Sequence, residues 1–314
     1  MLRFIVRRLG FMVIAVILCS MIIFWATAVL PGDVATVILG RFATQQAKDD
    51  LRKELGLDKP ITTQYGHWLG SFAQGDWGTS PSTGSEVRPV VMQRLSNSLM
   101  LAGVAFAIYV PLGILLGLIA ALRKNTWIDQ TISMGSLAFI GLPEFVAGII
   151  LISVFSIRLG WLPSQSAIDP QSNFVEAFPY LILPAITVAL TSLAYIVRMT
   201  RSSTVDVLQM DYVRTANLKG LSPSRVLYTH VLRNALLPTV TVVAIGIGWL
   251  IGGLIITEAV FSYPGIGRLL LYAIQRRDVQ LIQATSLLIV IVYMLANLVA
   301  DILYAVLNPR IRYT

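Results

Sequence analysis

Between Leu9 and Leu30 the chain carries no charged side chain, and five further apolar stretches follow, near 97–121, 131–157, 179–198, 239–257 and 282–307. A bilayer's hydrocarbon core takes about 20 apolar helical residues to cross. The pattern therefore predicts an all-α integral membrane protein with six transmembrane helices. The first stretch imitates a secretory signal, with MLRFIVRR ahead of it and the small-x-small triplet Ala26-Thr27-Ala28 inside it. It exceeds the about 7–15 apolar residues of such a signal and is read as an uncleaved first span.

Polar punctuation sets the topology. Arg3, Arg7 and Arg8 precede span one, Arg123 and Lys124 follow span two, and Arg310 and Arg312 follow span six. The loop after span four adds Arg198, Arg201, Arg214, Lys219, Arg225 and Arg233. An even number of spans puts all of these on one face, which the positive-inside rule makes cytoplasmic, with both termini. The chain then divides into a first span (1–30), an extracytoplasmic insert (31–96), a core of five helices (97–307) and a cytoplasmic tail (308–314). In the insert, TQQAKDDLRKELGLDKP reads as a short amphipathic helix with Ala47, Leu51 and Leu55 on one stripe, closed by Gly56 and Pro60. Tryptophans and turn residues follow, the mark of a small ordered cap. Gly113-x3-Gly117 and Gly248-x3-Gly252 offer faces for close helix approach, and Pro111, Pro143 and Pro184 interrupt spans.

Composition agrees: 56% of residues are hydrophobic and 13% charged, against about 25% charged in soluble domains, and mean hydropathy is +0.74. The net charge of +8 is explained by the loop bases rather than by nucleic acid. Cys19, the one cysteine, reads as a small packed hydrophobe. There is no Walker A pattern and no HExxH, CxxC or GxSxG, so neither a nucleotide cradle nor a hydrolytic or metal centre can be named. His67 and His230 are predicted on opposite sides of the membrane. Three acids remain in or at the edge of spans: Glu144, Glu258 and Asp301. A charge at the bilayer centre costs about 2.5–3.5 kcal/mol, so each either lines a translocation path or serves as an interfacial or helix-bonding group.

The segment after span four is polar and organised. Residues 204–219 read as a helix, Gly220 as its break, and Ser222-Pro223 as the cap and first turn of a second helix running through Leu232, before Pro238 introduces span five. A basic helix–turn–helix of this kind suits a partner's groove, with an amphipathic hairpin lying on anionic lipid as the alternative.

That hairpin, about 204–238, resembles the coupling loop of ABC importer permeases: Glu-Ala-Ala, three residues, Gly, nine residues, Ile-x-Leu-Pro. Arg214-Thr215-Ala216 takes the Glu-Ala-Ala positions and Gly220 the glycine. His230-Val231-Leu232-Arg233 stands at Ile-x-Leu-Pro, so only Ala216, Gly220 and Leu232 match, and the loop's glutamate has no counterpart. RTANLKG followed by LRNALLP looks like the dipeptide, oligopeptide and nickel branch. MLRFIVRRL, LPGD at 30–33, LGLDKPITTQYGHWL, GDWGTS, GWLPS, EAVFSYPGIGRLL and DILYAVLNPRIRY resemble it in order along the whole chain.

The resemblance implies a type I permease fold and an importer with a second homologous permease, two ATPases and an extracytoplasmic binding protein, in a bacterial or archaeal inner membrane. ATP and Mg would bind the ATPases, and this chain would hold no cofactor. Tyr212, Arg214, Thr215, Ala216, Lys219, Gly220, Pro223, Arg225 and Arg233 would meet an ATPase, while Glu144, Glu258 and Asp301 would line the path. Peptides are the expected cargo, with glutathione, nickel, opines or oligosaccharides as alternatives within the branch. A stand-alone secondary transporter is the alternative outside it, and an intramembrane enzyme ranks third.

Overall fold

The computed structural model describes residues 2–29, 39, 43–54, 58–167 and 174–307, without the side chains of 2–4, 51, 54 and 304–307. Predicted features at Arg3, Leu51, Leu55-Gly56, LPGD 30–33, Arg310 and Arg312 fall outside what is described. Among the described residues the elements are helices: α1 (Leu2–Val29), α2 (Gln45–Glu54), α3 (Ile61–Gln74), α4 (Val87–Leu122), α5 (Trp127–Gly141), α6 (Glu144–Arg158), α7 (Phe174–Leu208), α8 (Asp211–Leu218), α9 (Pro223–Val260), α10 (Ile266–Arg276) and α11 (Val279–Leu307). One isolated antiparallel bridge joins Thr79 to Glu86. Five helices, α1, α4, α7, α9 and α11, are long and apolar enough to cross a membrane. The predicted third span is not one rod: α5 and α6 meet at a 110° bend. Pro143 causes it. Its ring holds φ at −58° and keeps Leu142 extended, at φ −88° and ψ 120°, so the helix stops and restarts.

The chain folds as two compact units. The first comprises residues 1–98 and 264–294. In it an aromatic ladder seats α3 on α1. Phe24 lies 5.6 Å from Tyr65 and 5.5 Å from Trp68, and the series continues through Phe72 to Trp77, whose ring stacks on Phe72 at 4.7 Å. Ser20 and Tyr65 share a hydrogen bond of 2.8 Å. Gly75, at φ +89°, closes α3 and returns its N–H to the carbonyl of Phe72. The turn that follows is locked by the buried Asp278, which accepts from Ser80 Oγ at 2.5 Å and from Ser82 N and Oγ at 3.1 and 2.7 Å. α4 begins at Val87, inside the segment predicted as insert, because Val87 and Val91 are fully buried against Ile266, Leu269 and Leu281.

The second unit, residues 99–263 and 295–314, holds the largest apolar core. Gly113 and Gly117 place α4 against α7. A Cβ on Gly117 would stand 2.6 Å from Thr200 Cβ and 2.8 Å from the Val197 carbonyl. Only a glycine permits that approach. The other predicted small face is split: Gly248 is buried, whereas Gly252 meets nothing within 4 Å and lies on an exposed stripe of α9 with Ile245, Trp249 and Ile256.

Candidate functional site

The hairpin is a packed module, not a floppy loop. Val207, Val213, Ala216, Val226, Val231 and Ala235 form its own core. Three side-chain bonds tie it to the flanking helices: Ser203 Oγ donates to the Ala235 carbonyl at 2.7 Å, Thr200 and Thr239 share a 3.1 Å bond, and Asn234 Nδ2 donates to the Tyr212 hydroxyl at 2.9 Å. Gly220 adopts φ +73°, and its N–H and that of Leu221 return to the carbonyls of Asn217 and Ala216. The left-handed turn needs glycine for its φ, because a Cβ there would meet nothing within 4 Å.

The helix boundaries differ from those predicted. Residues 204–208 belong to α7; the chain breaks at Gln209-Met210 and α8 covers only Asp211–Leu218. The break lets Val207 and Val213 enter one core from two helices. The second helix does not end at Leu232. It runs through Pro238 to Val260, with a π-wound turn at Leu227–Val231. That extra residue in the turn re-aims Val231 and Ala235 into the hairpin core. Pro223 starts this helix as expected, but the Ser222 hydroxyl does not cap it and instead sits 3.5 Å from Ser224 Oγ.

Of the residues expected to meet a partner, Tyr212, Arg214, Thr215, Lys219, Gly220, Pro223, Arg225 and Arg233 are exposed on this module. Ala216 is not: it is buried, and its part is to hold α8 onto the core. Two apolar side chains escaped the sequence reading. Leu218 is 81% exposed and Tyr228 70%, the degree of exposure expected of contact residues rather than core. Leu218 was findable, as it falls off the Val213–Ala216 stripe.

The three acids lie apart in character. Glu258 is fully buried, and its carbonyl receives the Tyr263 N–H at 2.9 Å. Asp301 is half-buried on α11. Glu144 is half-buried at the head of α6, beside the 110° bend, and Thr257 Oγ1 donates to its Oε1 at 2.6 Å. A further pair went unnoticed in the sequence: Asp129, 3% exposed at the start of α5, accepts from Arg201 Nε and Nη2 of α7 at 2.5 and 2.7 Å, from Asn125 N at 3.0 Å and from Ser133 Oγ at 3.2 Å. Among the described residues no group of three or more His, Cys, Asp or Glu could hold a metal.

Residues 113–313 match the family model of the binding-protein-dependent transport system inner membrane component, and residues 1–102 match that family's N-terminal model. The chain belongs to this family. It is a permease subunit of binding-protein-dependent import, in the inner membrane with several spans. The di/tripeptide transport permease DppB of Pseudomonas aeruginosa is 40% identical over all of this chain and 99% of its own length. A probable peptide ABC transporter permease of Sinorhizobium fredii, y4tP, is 39% identical over 99% of each chain, and the glutathione transport permease GsiC of Escherichia coli 38% over 100% of each. Among solved structures, the inward-facing MetNI methionine ABC transporter aligns over 70% of this chain and 95% of its own at a TM-score of 0.50 and 17% identity, a likeness of fold.

Proposed function

We propose that this permease carries di- and oligopeptides through half of a pathway completed by a second homologous permease, and that two partner ATPases drive it through the 204–238 hairpin. One observation carries the reading. The hairpin is a packed module with its own core, continuous with α9 and bonded to α7, yet it presents an exposed rim of Arg214, Lys219, Arg225 and Arg233 with Leu218 and Tyr228 between the bases. A push on that rim moves two spans together. A flat lipid-bound hairpin would instead turn its apolar face outward, whereas here Val213, Ala216 and Val226 face inward.

Both termini and this hairpin then lie in the cytoplasm, and the described insert, anchored by its aromatic ladder and Asp278, receives the substrate-binding protein outside. The exposed stripe Ile245, Trp249, Gly252 and Ile256 suits close packing by the second permease. The peptide cargo rests on the names of the relatives in Pseudomonas and Sinorhizobium. The glutathione of the Escherichia coli relative, itself a tripeptide, is the second reading within the same class. The test is uptake by proteoliposomes holding the whole assembly with binding protein outside and ATP at the hairpin side. Alanine di-, tri- and tetrapeptides are expected to accumulate only with ATP. Equal accumulation without ATP overturns the reading.

A further inference from the structure

A carboxylate set into apolar helices is costly, and the one at Glu144 has an unusual seat. It stands at the first position of α6, directly after the Leu142-Pro143 break, and rests on the backbone of α9 at Gly253. A Cβ on Gly253 would lie 2.8 Å from Oε2 and 3.0 Å from Oε1, so a side chain at 253 would displace the carboxylate from this seat. Thr257, one turn on, donates to Oε1 at 2.6 Å. Among the described residues Oε2 has no donor, and no Lys, Arg or His pairs with Glu144.

The break adds acceptors. α5 ends at Gly141, and the last carbonyls of a helix lack intrahelical donors and carry its negative pole. On the other side, Val146 and Ala147 donate to the Pro143 carbonyl, at 2.9 and 3.1 Å, and the Glu144 carboxylate, at the first position of α6, lies at the helix's positive pole. The break thus sets a carboxylate with one open oxygen beside the carbonyl end of α5, in a discontinuous spanning helix. Such a place takes a cationic donor group.

We infer that Glu144, with Gly253 holding its position and Thr257 its orientation, is the station where the permease receives the protonated amino group of its cargo. This rests on the peptide reading above, since every unmodified peptide carries one such group. An ammonium has three donors. Oε2 takes one. A carboxyl-terminal end would be repelled, so the station orders passage amine-first.

The whole importer, reconstituted with ATP and the mixture of di-, tri- and tetra-alanine, is treated during turnover with a hydrophobic carbodiimide, then digested and read by mass spectrometry. The carboxyl adds to the carbodiimide as an O-acylisourea; an amine in contact with it attacks the acyl carbon, loses its proton and expels the substituted urea to leave an amide, while an O-acylisourea without a partner rearranges to the N-acylurea. The expected product is alanine peptide joined by an amide bond to Glu144, absent without ATP and absent from Glu144→Gln. N-acylurea at Glu144 with no peptide amide, in an importer that accumulates the peptides, overturns the inference. Uptake decides independently of labelling: Glu144→Gln is expected to lose about tenfold, the factor of one charge-assisted hydrogen bond, with Glu144→Asp retaining most of it. A glutamine variant that imports at the parent rate also overturns it. An assembly that hydrolyses ATP but accumulates none of the alanine peptides instead removes the peptide reading beneath it.

Discussion

A Gly220→Asp chain is expected to insert and assemble, yet to lose at least about tenfold of its ATP-driven uptake while the ATPases continue to turn over. The hairpin tolerates the added side chain sterically, because nothing lies within 4 Å of the new Cβ. Its backbone tolerates it less well. Holding φ at +73° costs a side-chain-bearing residue about 1–2 kcal/mol, toward the lower end for Asp. That is too little to unfold a module with its own core, but enough to shift the turn that sets α8 against α9. The charge acts on top of it, placing a carboxylate between Lys219 and the exposed Arg214 and Arg225 on the rim proposed to meet an ATPase. Gly220→Asn separates the two effects. Asn enters the left-handed region as readily as Asp and carries no charge, so it is expected to retain most of the uptake. Uptake and ATP hydrolysis measured together in proteoliposomes give the coupling ratio. A normal ratio in Gly220→Asp, with the assembly intact, removes the hairpin from the coupling path.

Arg201→Leu is expected to lower stability by about 3 kcal/mol and to show as a marked fall in Tm of the detergent-purified chain. Asp129 is 4% exposed by side chain and would keep Asn125 N and Ser133 Oγ, but would lose the guanidinium that balances its charge. Arg201 itself is 31% exposed, which places the cost near the lower end for a buried pair. Replacing both partners removes the stranded charge, so Asp129→Leu with Arg201→Leu is expected to recover most of the loss. If the single change leaves Tm alone, the pair that joins α5 to α7 contributes nothing to stability. If the double change is as poor as the single one, packing and not charge explains the loss.

The spans were legible because a bilayer demands long apolar helices, and that demand overrides local detail. Gly220 was legible too, since a left-handed turn between two helices selects glycine almost regardless of context. What stayed hidden is tertiary. Nothing at Gln209-Met210 marks a break; it exists because Val207 and Val213 must reach one core. Pro238 looked like a helix start because prolines usually are, but inside a packed helix pair the lost N–H is tolerated and the helix runs on. Pro143 announced an interruption without its size, which depends on where α6 packs. Ala216 matched a docking motif and proved to be core, while the exposed Leu218 and Tyr228 belong to no motif. Asp129 and Arg201 are 72 residues apart, and Glu144 and Thr257 are 113 apart. No periodicity reports such pairs.

The most direct test of the central claim, that this chain is a passive gate moved by other subunits, is gentle detergent purification of the tagged chain from its host with mass spectrometry of its companions. Two ATPase chains and a second permease in stable association is the expected result. A chain that purifies alone, and that moves solute in liposomes without ATP, would contradict the account and make it a secondary transporter.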